Sequence, residues 1–112
     1  MRIEVERRGD VTVVRLAGSV DGLTAPELEQ AIQAEAGKGD NRFVLVLAGV
    51  DYTSSAGLRV LLAATKNARA AGGDVRLAEV RDHVRKVLDL SGFTNIMRIF
   101  PDTDAAVGSF AA

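Results

Sequence analysis

A pair of serines followed by small residues is the part of this 112-residue chain whose side-chain types could do chemistry. The pair lies in the segment Val50-Asp51-Tyr52-Thr53-Ser54-Ser55-Ala56-Gly57-Leu58-Arg59, directly after an apolar run at residues 43–47. Apolar residues at helical spacing follow, so either serine can act as the N-cap of a helix. The free N–H groups and the positive end of that helix would also stabilise a phosphate. The residues alone leave both interpretations open, a structural cap or a site for a phosphate or a partner protein.

Catalytic alternatives lack the groups that they need. A serine nucleophile needs a base held by a third group, and the only histidine, His83, is expected to be a partly exposed residue at the start of another helix. The Gly-x-Ser-x-Gly elbow is missing, and the glycines form neither a dinucleotide fingerprint nor a phosphate-binding loop. One histidine and no cysteine give no basis for a metal site. We therefore predict a protein that is not an enzyme and that has neither metal nor cofactor.

Composition and charge limit the class of protein further. The length predicts one domain over residues 1–112. Fourteen basic and fifteen acidic residues leave a net charge of -1, which argues against direct nucleic-acid binding and against an anionic membrane surface. Charged residues in the first twenty positions exclude a signal peptide, and no apolar run approaches the roughly 20 residues of a membrane span. With no cysteine, the cytoplasm is the expected compartment.

The elements that would position the serines follow from the apolar pattern. Strands are predicted at residues 2–6, 11–16, 43–47, 75–80 and 96–100, the first two forming a hairpin around Gly9. The segments predicted as helices run from Thr24 to near Gly37, from Ser54 or Ser55 to about Ala71, from Asp82 to Ser91-Gly92, and over residues 102–110. Thr24 and Glu27 fit a capping box with Pro26 in the first turn. The order predicts an α/β protein with a mostly parallel sheet entered by an antiparallel hairpin, and residues 43–47 as its central strand.

The serine segment closely resembles the signature of bacterial anti-sigma factor antagonists of the STAS-domain family. The quoted residues are Asp51-Tyr52-Thr53-Ser54-Ser55-Ala56-Gly57-Leu58-Arg59-Val60-Leu61-Leu62, and Leu16-Ala17-Gly18-Ser19-Val20-Asp21 is similar to a second family segment. The order of strands and helices agrees along nearly the whole chain. The resemblance implies a single STAS domain with a four- to five-stranded mixed sheet and about four helices.

The resemblance also implies a phosphorylated serine in this segment. Familiar members read Asp-Ser-Ser-Gly-Leu or Asp-Ser-Thr-Gly-Leu; aligned on Gly57-Leu58, their two hydroxyl positions fall on Ser55 and Ala56 and their acid on Ser54. The chain departs from the familiar motif at the residue before the glycine. We therefore expect the acceptor at Ser55, with Ser54 in reserve.

The resemblance assigns a partner-binding surface around that serine. For Asp21 it implies a role in orienting the hydroxyl or contacting the partner, whereas the residue alone also fits a turn aspartate beside Gly22. Arg59 either flanks the partner or is simply solvated. The residues expected at the surface are Asp21, Gly22, Thr24, Asp51, Thr53, Ser54, Ser55, Ala56, Gly57 and Arg59.

Two functions follow from the resemblance. In the first, the chain binds an anti-sigma factor with serine kinase activity and so frees a sigma factor, until phosphorylation by that partner ends binding; a serine phosphatase would reverse the modification. In the second, the chain is a non-switching interaction subunit of a stress-sensing or lipid-transport complex. Phosphorylation of the chain distinguishes the two.

Overall fold

The first two strands form an antiparallel hairpin at one edge of a five-stranded sheet. In the computed structural model, which describes residues 1–111, β1 spans Arg2–Arg8 and β2 spans Val11–Val20. Their register runs from Arg2 opposite Ala17 to Arg8 opposite Val11. Gly9 in the connecting turn has φ +65, a left-handed conformation that glycine adopts without strain. The hairpin predicted around Gly9 is confirmed.

The remaining strands add to β2 in parallel. They are β3 at Arg42–Thr53, β4 at Asp74–Ala78 and β5 at Ile99–Phe100, and the strand order in the sheet is β1-β2-β3-β4-β5. β2, β3, β4 and β5 pair as parallel neighbours. The predicted class, a mixed and mostly parallel sheet entered by an antiparallel hairpin, is confirmed, with β3 at its centre.

Helices cover both faces of the sheet. They are α1 at Ala25–Ala36, α2 at Ser55–Ala70, α3 at Asp82–Leu90 and α4 at Thr103–Gly108. The larger core packs Leu28 of α1, Leu61 of α2 and Leu88 of α3 against Phe43 and Leu45 of the sheet. On the other face, Ala106 of α4 packs in a smaller core with neighbouring β3 residues Val44 and Val46. Because alternate residues of β3 enter different cores, the apolar run at 43–47 is unbroken.

The predicted helix limits hold closely, but the strand limits do not: β1, β2 and β3 continue to Arg8, Val20 and Thr53, beyond their predicted ends at residues 6, 16 and 47, and β4 and β5 end or begin elsewhere than predicted. β4 ends at Ala78 rather than at residue 80, because Glu79 takes φ +58 and turns the chain out of the strand. β5 comprises two residues instead of five, since Phe93–Asn95 form a 3₁₀ helix and the Met97 amide donates to the Phe93 carbonyl at 2.8 Å. The local turn thus takes a donor that a longer β5 would have offered to β4.

The helical spacing of Leu58, Leu61, Leu62 and Thr65 predicts the buried face of α2, and the structure shifts that face slightly. Leu61 and Thr65 are buried as expected, whereas Leu58 and Leu62 are only half-buried at the edge of the larger core. The N-terminal turn of α2 therefore lies partly at the surface, and its core contact is made by other residues described below.

Candidate functional site

Ser54 is the N-cap of α2, and Ser55 is the first residue of the helix. The Ser54 hydroxyl oxygen accepts a hydrogen bond from the Ala56 amide at 3.2 Å, and its backbone is extended, as N-caps require. Ser55 is exposed, and within residues 1–111 its hydroxyl has no hydrogen-bond partner. The two adjacent serines therefore differ: one hydroxyl is engaged in the helix cap, and the other is exposed and makes no hydrogen bond within the described residues.

Asp21 organises the loop that joins β2 to α1. Its carboxylate oxygen Oδ1 accepts hydrogen bonds from the amides of Leu23 and Thr24 at 2.9 and 3.1 Å. The Thr24 and Leu23 amides stabilise the charged form and so lower the pKa of Asp21 below its usual value. Asp21 is thus a turn aspartate that is ionised at neutral pH, and within residues 1–111 its carboxylate makes no hydrogen bond to Ser55.

The capping box predicted at the start of α1 is wrong. Thr24 occupies the N-cap position, but its hydroxyl donates to the Ser19 carbonyl at 2.7 Å and accepts from the Asp21 amide at 2.9 Å. Since the hydroxyl is directed into the loop, it makes no side-chain cap with the helix, and a reciprocal contact with Glu27 cannot form. Thr24 stiffens the β2–α1 loop instead.

The two loops meet at one edge of the sheet. Val20 pairs with Thr53 in the β2–β3 register, and the Ser54 amide donates to the Val20 carbonyl at 2.8 Å. Slightly earlier in the strands, the Ser19 hydroxyl lies 3.2 Å from Oδ1 of Asp51. The ends of β2 and β3 therefore hold the Asp21 loop beside the start of α2, as expected for parallel neighbours.

Two residues of the predicted contact set lie beneath the surface. Thr53 and Gly57 are buried, and a Cβ placed on Gly57 would lie 2.4 Å from Oγ1 of Thr53 and 2.8 Å from Cγ1 of Val20. Gly57 therefore lets α2 approach the strands closely, and its role is to pack the helix rather than to leave room for a partner. Thr53 and Gly57 support the site from below.

Arg59 and Ala56 line an open cleft between α1 and α2. Gly22 and Pro26 form part of the opposite wall, so the cleft continues from the Asp21 loop. Arg59 is exposed, and within residues 1–111 it has no ion-pair partner. Glu29 and Gln30 also line the cleft, so its walls are partly polar, and a cation there can contribute to the recognition of another protein surface.

His83 is a neighbour of the site that sequence analysis missed. Its ring nitrogen Nε2 contacts the Asp51 carbonyl, and Arg81 donates from Nε to the Ala48 carbonyl at 2.7 Å. Both contacts hold the start of α3 against the end of β3. The signal in the sequence was topological, because α3 follows the strand next to β3. With Nε2 at a backbone carbonyl, His83 is not placed as a base for Ser55.

Leu23 is the second residue that the prediction omitted. It lies in the β2–α1 loop between Gly22 and Thr24, and 87% of it is exposed. None of the helices within residues 1–111 has the length and apolar character needed to cross a membrane.

Comparison with known proteins identifies the family. The STAS domain model matches residues 2–106, so this chain belongs to the STAS domain family, as the serine motif predicted. The chain is similar to the Bordetella bronchiseptica protein BtrV, with 36% identity over 110 residues, covering 98% of this chain and 95% of the relative. It is 32% identical over 104 residues to the anti-sigma F factor antagonist of Paenibacillus polymyxa, covering 89% of this chain and 86% of that protein.

Solved structures agree with this assignment. The crystal structure of an anti-sigma factor antagonist from Mycobacterium paratuberculosis superposes with a TM-score of 0.89 and 28% identity. The match covers 99% of this chain and 94% of that protein. The arrangement of sheet and helices described above is therefore also that of this solved anti-sigma factor antagonist.

Proposed function

We propose that this protein is an anti-sigma factor antagonist whose binding to an anti-sigma factor is switched off by phosphorylation of Ser55. The partner would carry serine kinase activity, and binding would release a sigma factor for transcription. The names of the Paenibacillus and Mycobacterium proteins support the antagonist role. The switch and the kinase are our inference from the site.

The difference between Ser54 and Ser55 is the observation that carries the proposal. Phosphorylating Ser54 would modify the oxygen that accepts from the Ala56 amide and would disturb the cap of α2. Phosphorylating Ser55 would modify an exposed hydroxyl in the first turn of the helix and leave the cap in place. Ser55 is therefore the preferred acceptor, and Ser54 is the reserve.

Electrostatics explain why the fold would tolerate the phosphate while the interface would not. A phosphoserine carries about -1.5 to -2 charges at neutral pH. At the first turn of α2 the helix dipole and free amides offset that charge. Asp21 and Asp51 belong to the same edge of the sheet, so the added charge would strengthen an acidic surface. A partner matched to the unmodified surface would then meet both bulk and excess negative charge.

The proposed contact surface comprises the Asp21 loop, the end of β3 and the first turn of α2. Its exposed or half-exposed members are Asp21, Gly22, Thr24, Asp51, Ser54, Ser55, Ala56 and Arg59. Thr53 and Gly57 would act through packing. A serine phosphatase would restore the binding form, and we propose that the cycle operates in the cytoplasm, with residues 1–112 acting as one domain.

Capture of the partner followed by phosphorylation in vitro tests the proposal. The tagged protein is used to isolate partners from the source organism, which are identified by mass spectrometry. The captured anti-sigma factor is then purified and incubated with ATP and either wild type, Ser55→Ala or Ser54→Ala. We expect one phosphate on wild type and on Ser54→Ala, and none on Ser55→Ala.

Two results would contradict the proposal. Capture of a stress-sensing or lipid-transport complex without any anti-sigma factor would favour the non-switching subunit. Absence of phosphate from both serines with a captured, active kinase would remove the switch. A phosphate on Ser54 would move the acceptor by one residue.

A further inference from the structure

The exposed leucine in the β2–α1 loop is unusual for its position. Among the large apolar side chains that are exposed in residues 1–111, only Leu23 and Leu90 are nearly fully accessible, at 87% and 89%. Single exposed apolar residues are common and need no explanation by themselves. Leu23, however, lies two residues from Asp21 and three from Val20, whose carbonyl binds the Ser54 amide. Its location therefore links it to the serine site, whereas Leu90 ends α3.

The backbone that carries Leu23 is held firmly in place. The Leu23 amide donates to the Asp21 carboxylate at 2.9 Å, and the Thr24 amide donates to the same oxygen at 3.1 Å. The Thr24 hydroxyl then joins the loop to the Ser19 carbonyl at 2.7 Å. A protein that binds Leu23 would not have to order this loop, which removes one of the usual entropic costs of association.

The surroundings of Leu23 have the character of an interface. The cleft between α1 and α2 is lined by Gly22, the residue before Leu23, and by Ala56, Glu29 and Arg59. Asp21 uses only Oδ1 in the hydrogen bonds of its own turn, which leaves Oδ2 for an external donor. An exposed apolar side chain in a loop that adjoins a cleft with groups of both charges fits a protein–protein interface, which has a hydrophobic centre and a polar rim.

We infer that Leu23 is the central apolar contact of this protein with the anti-sigma factor, an inference that rests on the proposed function. The partner surface that fits has an apolar pocket deep enough for one leucine side chain. On that partner surface, a basic group beside the pocket would face Asp21, and an acidic group would lie near Arg59. Ser55 would lie at the margin of this contact, because Ser54 is bonded to the strand that leads into the loop.

Leucine substitutions at two equally exposed sites test the inference. Binding of the purified anti-sigma factor isolated in the capture experiment is measured by calorimetry for wild type, Leu23→Ala, Leu23→Met and Leu90→Ala. We expect Leu23→Ala to weaken binding by about tenfold or more, as truncation of an interface hot spot does. Leu23→Met should bind nearly as tightly as wild type, since methionine fills a similar volume. Leu90→Ala should bind as wild type does.

The melting temperature of each variant controls for loss of folding. The outcomes of the binding experiment distinguish the Leu23 contact from the proposed function. All three variants should keep the wild-type melting temperature, because neither leucine is buried. If wild type binds and loses affinity on phosphorylation, while Leu23→Ala binds equally well, the apolar contact is wrong and the proposed function stands. If wild type does not bind the anti-sigma factor, both proposals fail.

Discussion

Gly57 lies so close to Thr53 that a Cβ on the glycine would stand 2.4 Å from the threonine hydroxyl oxygen. The same Cβ would be 3.1 Å from the Val20 carbonyl oxygen, which already accepts from the Ser54 amide. The first turn of α2 is thereby pressed against the ends of β2 and β3. This contact fixes where Ser55 lies relative to the Asp21 loop, so a buried glycine determines the geometry of an exposed site.

Gly57→Ala should destabilise the protein through overpacking. A methyl group cannot fit without moving Thr53 or Val20, and such strain typically costs about 1 to 3 kcal/mol. The free energy of unfolding, from urea titration at neutral pH, measures the loss. Gly108→Ala is the matched control, since a Cβ there meets nothing within 4 Å and the residue lies in a helix. Equal stability of Gly57→Ala and wild type would contradict the packing role.

Ser54→Ala and Ser55→Ala should separate the capping serine from the proposed phosphate acceptor. Loss of the Ser54 cap should lower the free energy of unfolding by about 1 kcal/mol, the typical cost for an N-cap serine. Ser55→Ala should change it by less than about 0.5 kcal/mol, because that hydroxyl is exposed and unpaired within the described residues. Denaturant titration of both variants makes the comparison, and the reverse order of stabilities would overturn the assignment of the cap.

Asp21→Asn and Arg59→Ala should weaken binding to the anti-sigma factor with little effect on folding. Asparagine keeps an oxygen that can accept from the Leu23 and Thr24 amides, so the turn survives while the charge is lost. Charged interface groups act mainly on the association rate, so stopped-flow binding at two salt concentrations is the measurement. Lys38→Ala, just beyond the other end of α1, is the control. The proposed contact surface would be contradicted if Lys38→Ala weakened binding while Asp21→Asn and Arg59→Ala did not.

Asp40 should make the fold sensitive to acid. Arg7 donates to its carboxylate and the Thr12 hydroxyl donates to Oδ2 at 2.9 Å, and both contacts lower the pKa of Asp40 from its usual value of 3.8. Because the folded-state pKa lies below the unfolded value, this stabilisation is present above about pH 4 and is lost as the pH falls through the folded pKa.

Asp40→Asn should therefore be less stable than wild type at pH 7, and the difference should shrink as the pH falls below 4. The side chain of Asp40 is 7% exposed and that of Arg7 is 56% exposed, so solvent screens the pair in part and the difference should be modest. Urea titrations of both proteins at pH 7, 5 and 3 give the comparison. A difference that is constant across this range would show that the ion pair does not couple protonation to folding.

Most of the fold could be predicted because its signals are local and agree with one another. The apolar run at 43–47, the turn at Gly9 and the glycines after α2 each specify one element, and the alternation of strands and helices specifies a parallel sheet. β5 was predicted too long because the apolar residues at 96–100 resemble a strand. The local hydrogen bonds of the 3₁₀ turn decide otherwise.

The location of the site could be predicted from the sequence, but the role of each of its side chains could not. The motif predicted that Asp21 and Ser55 belong to one edge, yet single-sequence patterns do not show which hydroxyl is engaged. Thr24 fits a capping box by spacing, but a carbonyl of β2 lies close enough to take its hydrogen bond. Likewise, the contribution of Leu23 depends on its exposure, and that of His83 on a contact between elements distant in sequence.

The affinity of the stoichiometrically phosphorylated protein for its anti-sigma factor tests the switch most directly. Dissociation constants of the unmodified and Ser55-phosphorylated forms are measured under the same conditions, with circular dichroism to confirm that both are folded. We predict binding weaker by at least about tenfold, a change that needs only about 1.4 kcal/mol at the interface. Equal dissociation constants for the two folded forms would contradict the switch.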